Sequence, residues 1–144
     1  MPAQVVAVCT SKNKGERKTP VDCVMFEEQH GIVDDAHAGP WHRQVSLLAM
    51  ESVEKMKALG LDVDPGDFGE NITTSGIDLV ALPVGTQLNM GSTIVEVTQI
   101  GKECHTRCAI YHQAGDCVMP KEGTFVKVIE GGPVKSGSPI FVLQ

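Results

Sequence analysis

Thiol and imidazole groups are concentrated in one stretch of the chain, KECHTRCAIYHQAGDC, at residues 102–117. This stretch holds three of the five cysteines and two of the five histidines. Thiolate and imidazole are ligands that zinc prefers, so one interpretation is a metal site formed by Cys104, Cys108, His112 and Cys117. The spacing argues against a structural zinc site, because such sites usually take paired ligands from tight turns with two intervening residues.

Cys104 differs from the other cysteines in its surroundings. It follows a predicted strand, at the kind of strand-to-loop exit where reactive groups are often held. Lys102, His105 and Arg107 lie beside it, and positive charge lowers the pKa of a thiol and favours the reactive thiolate. Glu103 acts in the opposite direction. The other four cysteines are predicted to be buried in apolar segments: Cys9, Cys23, Cys108 and Cys117.

The overall composition restricts the class of protein. The chain has 144 residues, of which 42% are hydrophobic, and a single domain over 1–144 with a substantial core is expected. A net charge of −6 argues against nucleic-acid binding, although a local group of cations can still bind a small anion. No secretory signal order and no apolar run of membrane-spanning length are present, so a cytoplasmic protein with free thiols is expected.

Short apolar runs between the 15 glycines and 8 prolines predict a β-rich fold. One main helix is predicted over Val45–Leu59, with Ser46 as its cap and Gly60 as its stop. A further helical turn or two is predicted over Cys104–His112. Together these patterns indicate a mainly β protein, a compact antiparallel barrel-like sheet with one main helix and short helical segments. The predicted strands are 4–9, 22–29, 72–74, 87–90, 92–100, 125–129 and 140–143.

Four ordered blocks give the chain a resemblance to a known family. They are TSKNKGERKTPV, DDAHAGPWHRQVSLL, PGDFGENITTSGIDLVALPVGTQLNMG and VTQIGKECH. In this order they resemble the MOSC domain family, named after the C-terminal domain of molybdenum-cofactor sulfurase, over nearly the whole chain. Two positions depart from the family pattern: Asp34 stands where many members have Gly, and Lys102-Glu103 stands where many have Arg-Pro.

The resemblance implies a β-barrel-like fold, molybdenum cofactor (molybdopterin) as the bound group, and Cys104 as the key residue. Cys104 would carry sulfur as a persulfide or ligate molybdenum, which accepts soft sulfur ligands. Contacts to the phosphate and pterin ring are expected from cationic and hydrogen-bonding side chains, among which Arg offers a planar fork suited to phosphate. The candidates for these contacts are Lys14, Lys18, His37, Arg43, Glu70, Asn71, Lys102 and His105.

Several of these candidates also have a purely structural interpretation. Lys14 and Lys18 can be ordinary solvated loop charges, and His37 can brace its own loop. Arg43 can pair with one of the aspartates at 34 and 35, and Asn71 can satisfy backbone groups in a Gly-rich turn. Trp41 is either a lid over a ligand or a half-buried surface aromatic.

Three functions remain open at this point. The resemblance favours cofactor maturation, in which the protein receives sulfur from a donor and passes sulfur or cofactor to an acceptor molybdoenzyme. Some relatives instead reduce N-hydroxylated compounds. That activity requires a separate redox partner here, because no ferredoxin-like cysteine run exists. The third interpretation is a non-catalytic metal-binding module that uses Cys104, Cys108, His112 and Cys117 together.

Overall fold

The computed structural model describes residues 3–12, 18–36, 38–60, 62–101 and 123–143. The helical turns expected at Cys104–His112 lie outside this part of the chain. The described elements are eleven strands, one α-helix and one short 3₁₀-helix. In chain order they are β1 Gln4–Thr10, β2 Thr19–Val21, β3 Cys23–Glu27, β4 Gly31–Ile32, β5 Val45–Ala49, α1 Met50–Ala58, β6 Ile72–Ser75, the 3₁₀-helix Leu79–Ala81, β7 Gln87–Met90, β8 Thr93–Ile100, β9 Thr124–Glu130, β10 Gly132–Lys135 and β11 Ile140–Val142.

The strands form two sheets. The larger has eight strands in the order β11-β7-β8-β9-β5-β6-β1-β2, and the smaller has three in the order β10-β3-β4. Neighbouring strands are antiparallel except for β5 and β6, which are parallel and are joined through α1, as parallel strands require a crossover connection. The prediction of a mainly β fold with one main helix is confirmed.

The two sheets are not closed into a barrel, although a few backbone contacts link the two ends of the larger sheet. Near its two ends, the amide of Val5 in β1 donates to the Ser138 carbonyl at 2.8 Å, and Gln4 forms an isolated bridge with Pro139. These contacts connect β1 to the chain just before β11, which is the opposite edge strand.

Two apolar clusters lie on the two faces of the larger sheet. Leu47 belongs to the main core with residues such as Phe26 and Ile72, whereas Leu48 belongs to a second cluster beneath α1 with Val53 and others. Successive residues of a strand point to opposite faces, so β5 is covered on both sides and its first four residues are buried.

The helix predicted over Val45–Leu59 is wrong in its first third. Val45–Ala49 is strand β5, and α1 begins at Met50 with Ala49, not Ser46, as its N-cap residue. A strand buried on both faces is a continuous apolar run, which periodicity alone does not distinguish from a buried helix. The stop is confirmed, because Gly60 has a φ of +93° and its amide donates to the Lys57 carbonyl.

The other predicted strands are confirmed within a few residues at each end, and β10 occupies a region expected to be a turn. Cys23, expected in the core, is exposed because β3 alternates and points Val24 and Phe26 inward instead. Among the described residues, no helix combines the length and apolar character needed to cross a membrane.

Candidate functional site

One line of residues crosses the larger sheet and organises the candidate site. Gln99 of β8 pairs with Phe125 of β9, which pairs with Ser46 of β5. Asn71, immediately before β6, bonds to Ser46, and its carbonyl accepts from the Cys9 amide of β1 at 2.7 Å. We call this line the central rung: Gln99, Phe125, Ser46, Asn71 and Cys9.

Asn71 forms the middle of the central rung and is fully buried. Its Oδ1 accepts from the amide and hydroxyl of Ser46 at 3.0 and 3.1 Å, and its Nδ2 donates to the Cys9 carbonyl at 3.1 Å. This geometry matches the structural alternative, in which Asn71 satisfies backbone groups of neighbouring strands.

Glu70 is also buried, with no exposed surface. Its two carboxyl oxygens accept from the Phe68 amide at 3.3 Å and from the Thr73 hydroxyl at 3.0 Å. Burial raises the pKa of Glu70 above its ordinary value, and these hydrogen bonds oppose the shift only in part. Glu70 therefore keeps its proton to a higher pH than an exposed glutamate does.

Cys9 is a buried thiol beside these groups. Burial first, and then the nearby carboxyl groups of Glu70 and Asp67, raise the pKa of Cys9 to about 12. A thiol with this pKa is almost entirely protonated at neutral pH and is a poor nucleophile. The expectation that Cys9 is a core residue is confirmed.

Lys18 is paired inside the protein. Its Nζ lies 2.8 Å from Asp35 Oδ1 and donates to the Ser11 hydroxyl at 3.0 Å, and both charged side chains have 0% exposure. Asp35 neutralises the lysine charge, so in this arrangement Lys18 does not present a cation to a ligand.

Arg43 occupies the other end of the central rung and is half-buried. Its Nε donates to Gln99 Oε1 at 3.1 Å, and its guanidinium carbon lies 5.2 Å from the centroid of the Phe125 ring. Gln99 Nε2 in turn donates to the Gly101 carbonyl at 2.7 Å. The described residues contain no ion pair between Arg43 and an aspartate. The guanidinium instead contacts the amide of Gln99 and the face of the Phe125 ring.

Gly101 and Gly123 mark the two ends of the segment that contains Cys104. The Gly101 amide donates to the Gly123 carbonyl at 2.5 Å, so the strands β8 and β9 remain paired up to the last described residues on each side. Through Gln99, Arg43 is thus connected to the point from which this segment departs.

Trp41 and His42 lie next to Arg43 on the surface. Trp41 is 37% exposed, and its ring meets the His42 ring edge to face, with centroids 5.7 Å apart. The hydroxyl of Thr98 contacts the His42 carbonyl, which attaches this stretch to β8. The half-exposed aromatic side chain fits the surface interpretation of Trp41.

Asp34 has a physical explanation in the backbone. Its φ is +67°, in the left-handed region that glycine adopts without strain and that aspartate tolerates better than most residues. The departure from the family pattern therefore preserves the turn, and the side chain is exposed.

Four of the predicted cofactor-contacting residues lie in the described part of the chain: Lys18, Arg43, Glu70 and Asn71. Of these, Lys18, Glu70 and Asn71 are buried and bonded to protein groups, whereas Arg43 lies at the half-exposed end of the central rung. The remaining candidates lie outside the described residues: Lys14, His37, Lys102, Cys104 and His105. The alternative zinc ligands Cys104, Cys108, His112 and Cys117 also lie outside them, and the described residues contain no group of three or more His, Cys, Asp or Glu side chains able to hold a metal.

Gln99, Ser46 and Asp35 contribute to the geometry but are not among the predicted site residues. Asp35 carries a signal in the sequence, since it is the second residue of the block DDAHAGPWHRQVSLL, which belongs to the family resemblance. Gln99 and Ser46 carry none, because their partners Arg43 and Asn71 are distant in sequence, at separations of 56 and 25 residues.

A cleft of about 610 Å³ lies elsewhere, between α1 and the loop after β6. Ser52, Lys55 and Asp78 contribute to its lining, and none of the four predicted site residues in the described part of the chain does. It is therefore separate from the central rung.

Comparison with solved structures finds proteins with a similar fold. The chain is similar in structure to the YuaD protein from Bacillus subtilis, with a TM-score of 0.80 and 18% identity over 97% of this chain and 94% of the other. It is also similar to YiiM from Geobacillus stearothermophilus, with a TM-score of 0.74 and 24% identity over 99% and 76%, and to YiiM from Escherichia coli, with a TM-score of 0.70 and 21% identity over 100% and 70%.

At these identities the likeness shows the fold alone. No curated protein matches the chain significantly. The MOSC domain, however, matches residues 34–141, three quarters of the sequence, including three of the four blocks noted above in full or nearly so. The chain belongs to the MOSC domain family.

Proposed function

We propose that this protein binds molybdenum cofactor or its precursor and acts in cofactor maturation, with Cys104 carrying sulfur as a persulfide or ligating molybdenum. Membership of the MOSC domain family supports a role related to molybdenum cofactor. The observation that carries the proposal is the connection from Arg43 through Gln99 to Gly101, which holds a cation beside the start of the segment that contains Cys104.

Arg43 fits the phosphate of the cofactor. A guanidinium has five N–H donors, and Nε uses one of them on Gln99. The terminal nitrogens form the fork that recognises phosphate oxygens in pairs. The contact with the Phe125 ring restrains the guanidinium and leaves its charge in place, whereas a carboxylate partner would neutralise that charge.

Lys18, Glu70 and Asn71 support this site from within. They connect β1, β5, β6 and the turn at 64–70, and they do not face a ligand in the described arrangement. Their proposed role is to fix the sheet from which Arg43 and the segment after Gly101 project. The direct contacts proposed for Lys14, His37, Lys102 and His105 rest on the family resemblance.

Cys104 follows Gly101 by three residues, which an extended chain spans in at most about 11 Å. This is the reason for assigning Cys104 and Arg43 to one site. When bound, the cofactor supplies molybdenum as an acceptor for soft sulfur ligands.

The sulfur-carrying step needs only a thiolate and a donor persulfide. The Cys104 thiolate attacks the terminal sulfur of the donor, a new S–S bond forms on Cys104, and the donor S–S bond breaks to release the donor thiolate. The terminal sulfur keeps its proton, so atoms and electrons balance without another oxidant or reductant.

Anaerobic purification followed by intact-mass and peptide mass spectrometry tests the proposal. We expect Cys104 to gain one sulfur atom from a persulfide donor, or the protein to retain a bound pterin, and Cys104→Ser to lose the sulfur adduct or molybdenum ligation. Cys23→Ser is the matched control, because Cys23 is an exposed free thiol on the separate three-stranded sheet. Equal loading of wild-type protein and Cys104→Ser contradicts the role of Cys104.

Arg43 provides the second arm of the same experiment. Arg43→Gln should weaken pterin-cofactor binding about tenfold or more, because a hydrogen bond to a charged group contributes about 1.5–3 kcal/mol. Lys127→Gln, which removes a half-exposed cation of the Lys127–Glu96 pair, is the control. Stoichiometric zinc without pterin would instead support the metal-binding module, and turnover of N-hydroxylated compounds with a redox partner would support the reductase.

A further inference from the structure

The buried ion pair between Lys18 and Asp35 has no explanation in the proposed chemistry, since neither side chain reaches solvent. Lys18 Nζ and Asp35 Oδ1 are 2.8 Å apart and both side chains have 0% exposure. Removing two charges from water is unfavourable, and an apolar pair would pack as well, so a buried pair is weak evidence for stability. The role of the pair is therefore better explained by the backbone stretches that it connects.

The pair joins three separate backbone stretches. Asp35 Oδ1 also accepts from the Ser11 amide at 3.1 Å, and Lys18 Nζ also donates to the Ser11 hydroxyl at 3.0 Å. The Ala36 amide donates to the Ser11 carbonyl at 2.9 Å, which adds a main-chain connection between the same two stretches. Ser11 directly follows β1, Lys18 directly precedes β2, and Asp35 lies in the turn after β4.

A fourth stretch is held against Lys18 by its main chain. The Lys18 amide donates to the Gly66 carbonyl at 2.9 Å, and Gly66 has a φ of +93°. A Cβ at Gly66 would collide with the Lys18 carbonyl oxygen and lie 3.1 Å from Cys9 Sγ. The position of Lys18 is therefore fixed from two sides, by its side chain and by its backbone.

These stretches flank the residues expected to contact the cofactor. Ser11 and Lys18 stand on either side of residues 13–17, which include Lys14, and Asp35 stands two residues before His37. We propose that Lys18 and Asp35 are positioning residues that hold together the backbone stretches adjacent to Lys14 and His37, and that Lys18 is not itself a phosphate ligand. This inference rests on the proposed function.

The two roles of Lys18 predict opposite effects when Asp35 loses its charge. Asp35→Asn keeps the shape of the side chain and the acceptor for the Ser11 amide but leaves the Lys18 charge uncompensated. If Lys18 were a ligand for an anionic phosphate, removing the competing carboxylate would preserve or strengthen binding. If the pair positions the chain, Asp35→Asn weakens binding.

The test is a double-mutant cycle with molybdopterin, extracted anaerobically from a molybdoenzyme, as the titrated probe. Lys18→Met and Asp35→Asn should each weaken binding about tenfold, and the double variant should lose no more than either single variant, because both substitutions break the same connection. Urea unfolding of all four proteins is measured in parallel, and it should show that each variant is folded under the binding conditions.

The matched control is Lys57→Met with Asp64→Asn. This pair is separated by 3.8 Å and is 38% and 75% exposed, and we expect no effect on binding from any member of its cycle. Additive losses, with the double variant about a hundredfold weaker than wild type, or undiminished binding in Asp35→Asn, overturn the inference and leave the proposed function intact. Wild-type protein that does not bind molybdopterin overturns both.

The salt dependence of binding independently tests, in any folded Lys18 variant, whether Lys18 contacts the phosphate. Dissolved salt screens the attraction between a lysine and a phosphate, so removing a lysine that contacts the phosphate makes the affinity less sensitive to salt. For a positioning residue, the slope of log Kd against log salt concentration should be the same in Lys18→Met and in wild type. A shallower slope in Lys18→Met would identify Lys18 as a ligand and contradict the inference.

Discussion

At Glu70, a carboxyl group without solvent contact accepts hydrogen bonds from the Phe68 amide and the Thr73 hydroxyl. The same type of environment surrounds Lys18 and Asn71, whose polar atoms are bonded to protein groups. Residue type predicts that these three side chains form hydrogen bonds, but not with which partner. Arg43 differs because an amide and an aromatic ring hold it without cancelling its charge.

Glu70 should make the stability of the protein depend on pH. Its pKa in the folded protein is raised above the unfolded value of about 4.3 by burial. The stability that the protonated group confers is fully present below that value and is lost as pH rises through the folded pKa. We expect Glu70→Gln, which cannot ionise, to lose less stability than wild type over this range in urea unfolding experiments.

Glu54→Gln, an exposed substitution on α1, is the control for that experiment. It should leave the pH dependence of the wild-type protein unchanged. If Glu70→Gln and wild type show parallel curves of unfolding free energy against pH, burial does not control the ionisation of Glu70.

At the scale of the elements, most strands are predictable from the sequence, whereas their neighbours in the sheet are not. Alternation in β8 and the turn residues around β7 locate both strands closely. The run at Val45–Ala49 is misassigned to a helix because α1 covers one of its faces and the main core covers the other. The Asn71 bonds to Ser46 and Cys9 span 25 and 62 residues, so no local pattern indicates them.

Asn71→Ala should test the importance of the central rung. It removes the acceptor for the Ser46 amide and the donor for the Cys9 carbonyl, both of which are buried. Each buried group left unpaired costs about 1–3 kcal/mol, so we expect a loss of roughly 2–4 kcal/mol in the free energy of unfolding.

Asn89→Ala is the control, since the half-buried Asn89 makes a hydrogen bond to Thr93 O at 3.2 Å within its own hairpin. It should lose less than about 1.5 kcal/mol, the usual contribution of one hydrogen bond. Equal losses in the two variants would show that the central rung is no more important than a hairpin contact.

Across the whole molecule, the mainly β fold and its family can be anticipated from the order of four sequence blocks, and the matched region confirms the family. The division of the strands into a larger and a smaller sheet cannot be anticipated from the sequence, because it depends on pairings between distant segments, such as β3 with β10. Nor does the sequence predict that an acidic protein pairs one of its lysines internally and leaves Arg43 at the edge of the site.

Hydrogen exchange measured by NMR should distinguish the interior strands of the larger sheet from its edge strands. We expect the slowest amides on the central rung, including Cys9 and Asn71, because they are buried and lie in the interior of the larger sheet. The edge strands β2 and β11 should exchange through local opening with free energies lower by at least about 2 kcal/mol. Uniform protection across the sheet would contradict this picture.

The bond between Gly101 and Gly123 brings the chain back to its point of departure after residues 102–122. Lengthening a stretch of chain whose ends are joined is inexpensive, since each doubling of a flexible closed segment adds only about 0.6 kcal/mol of closure entropy. A change in the length of the sequence between these two glycines should therefore cost the sheet little stability. The same junction is a natural splice site for engineering chimaeras between members of the family.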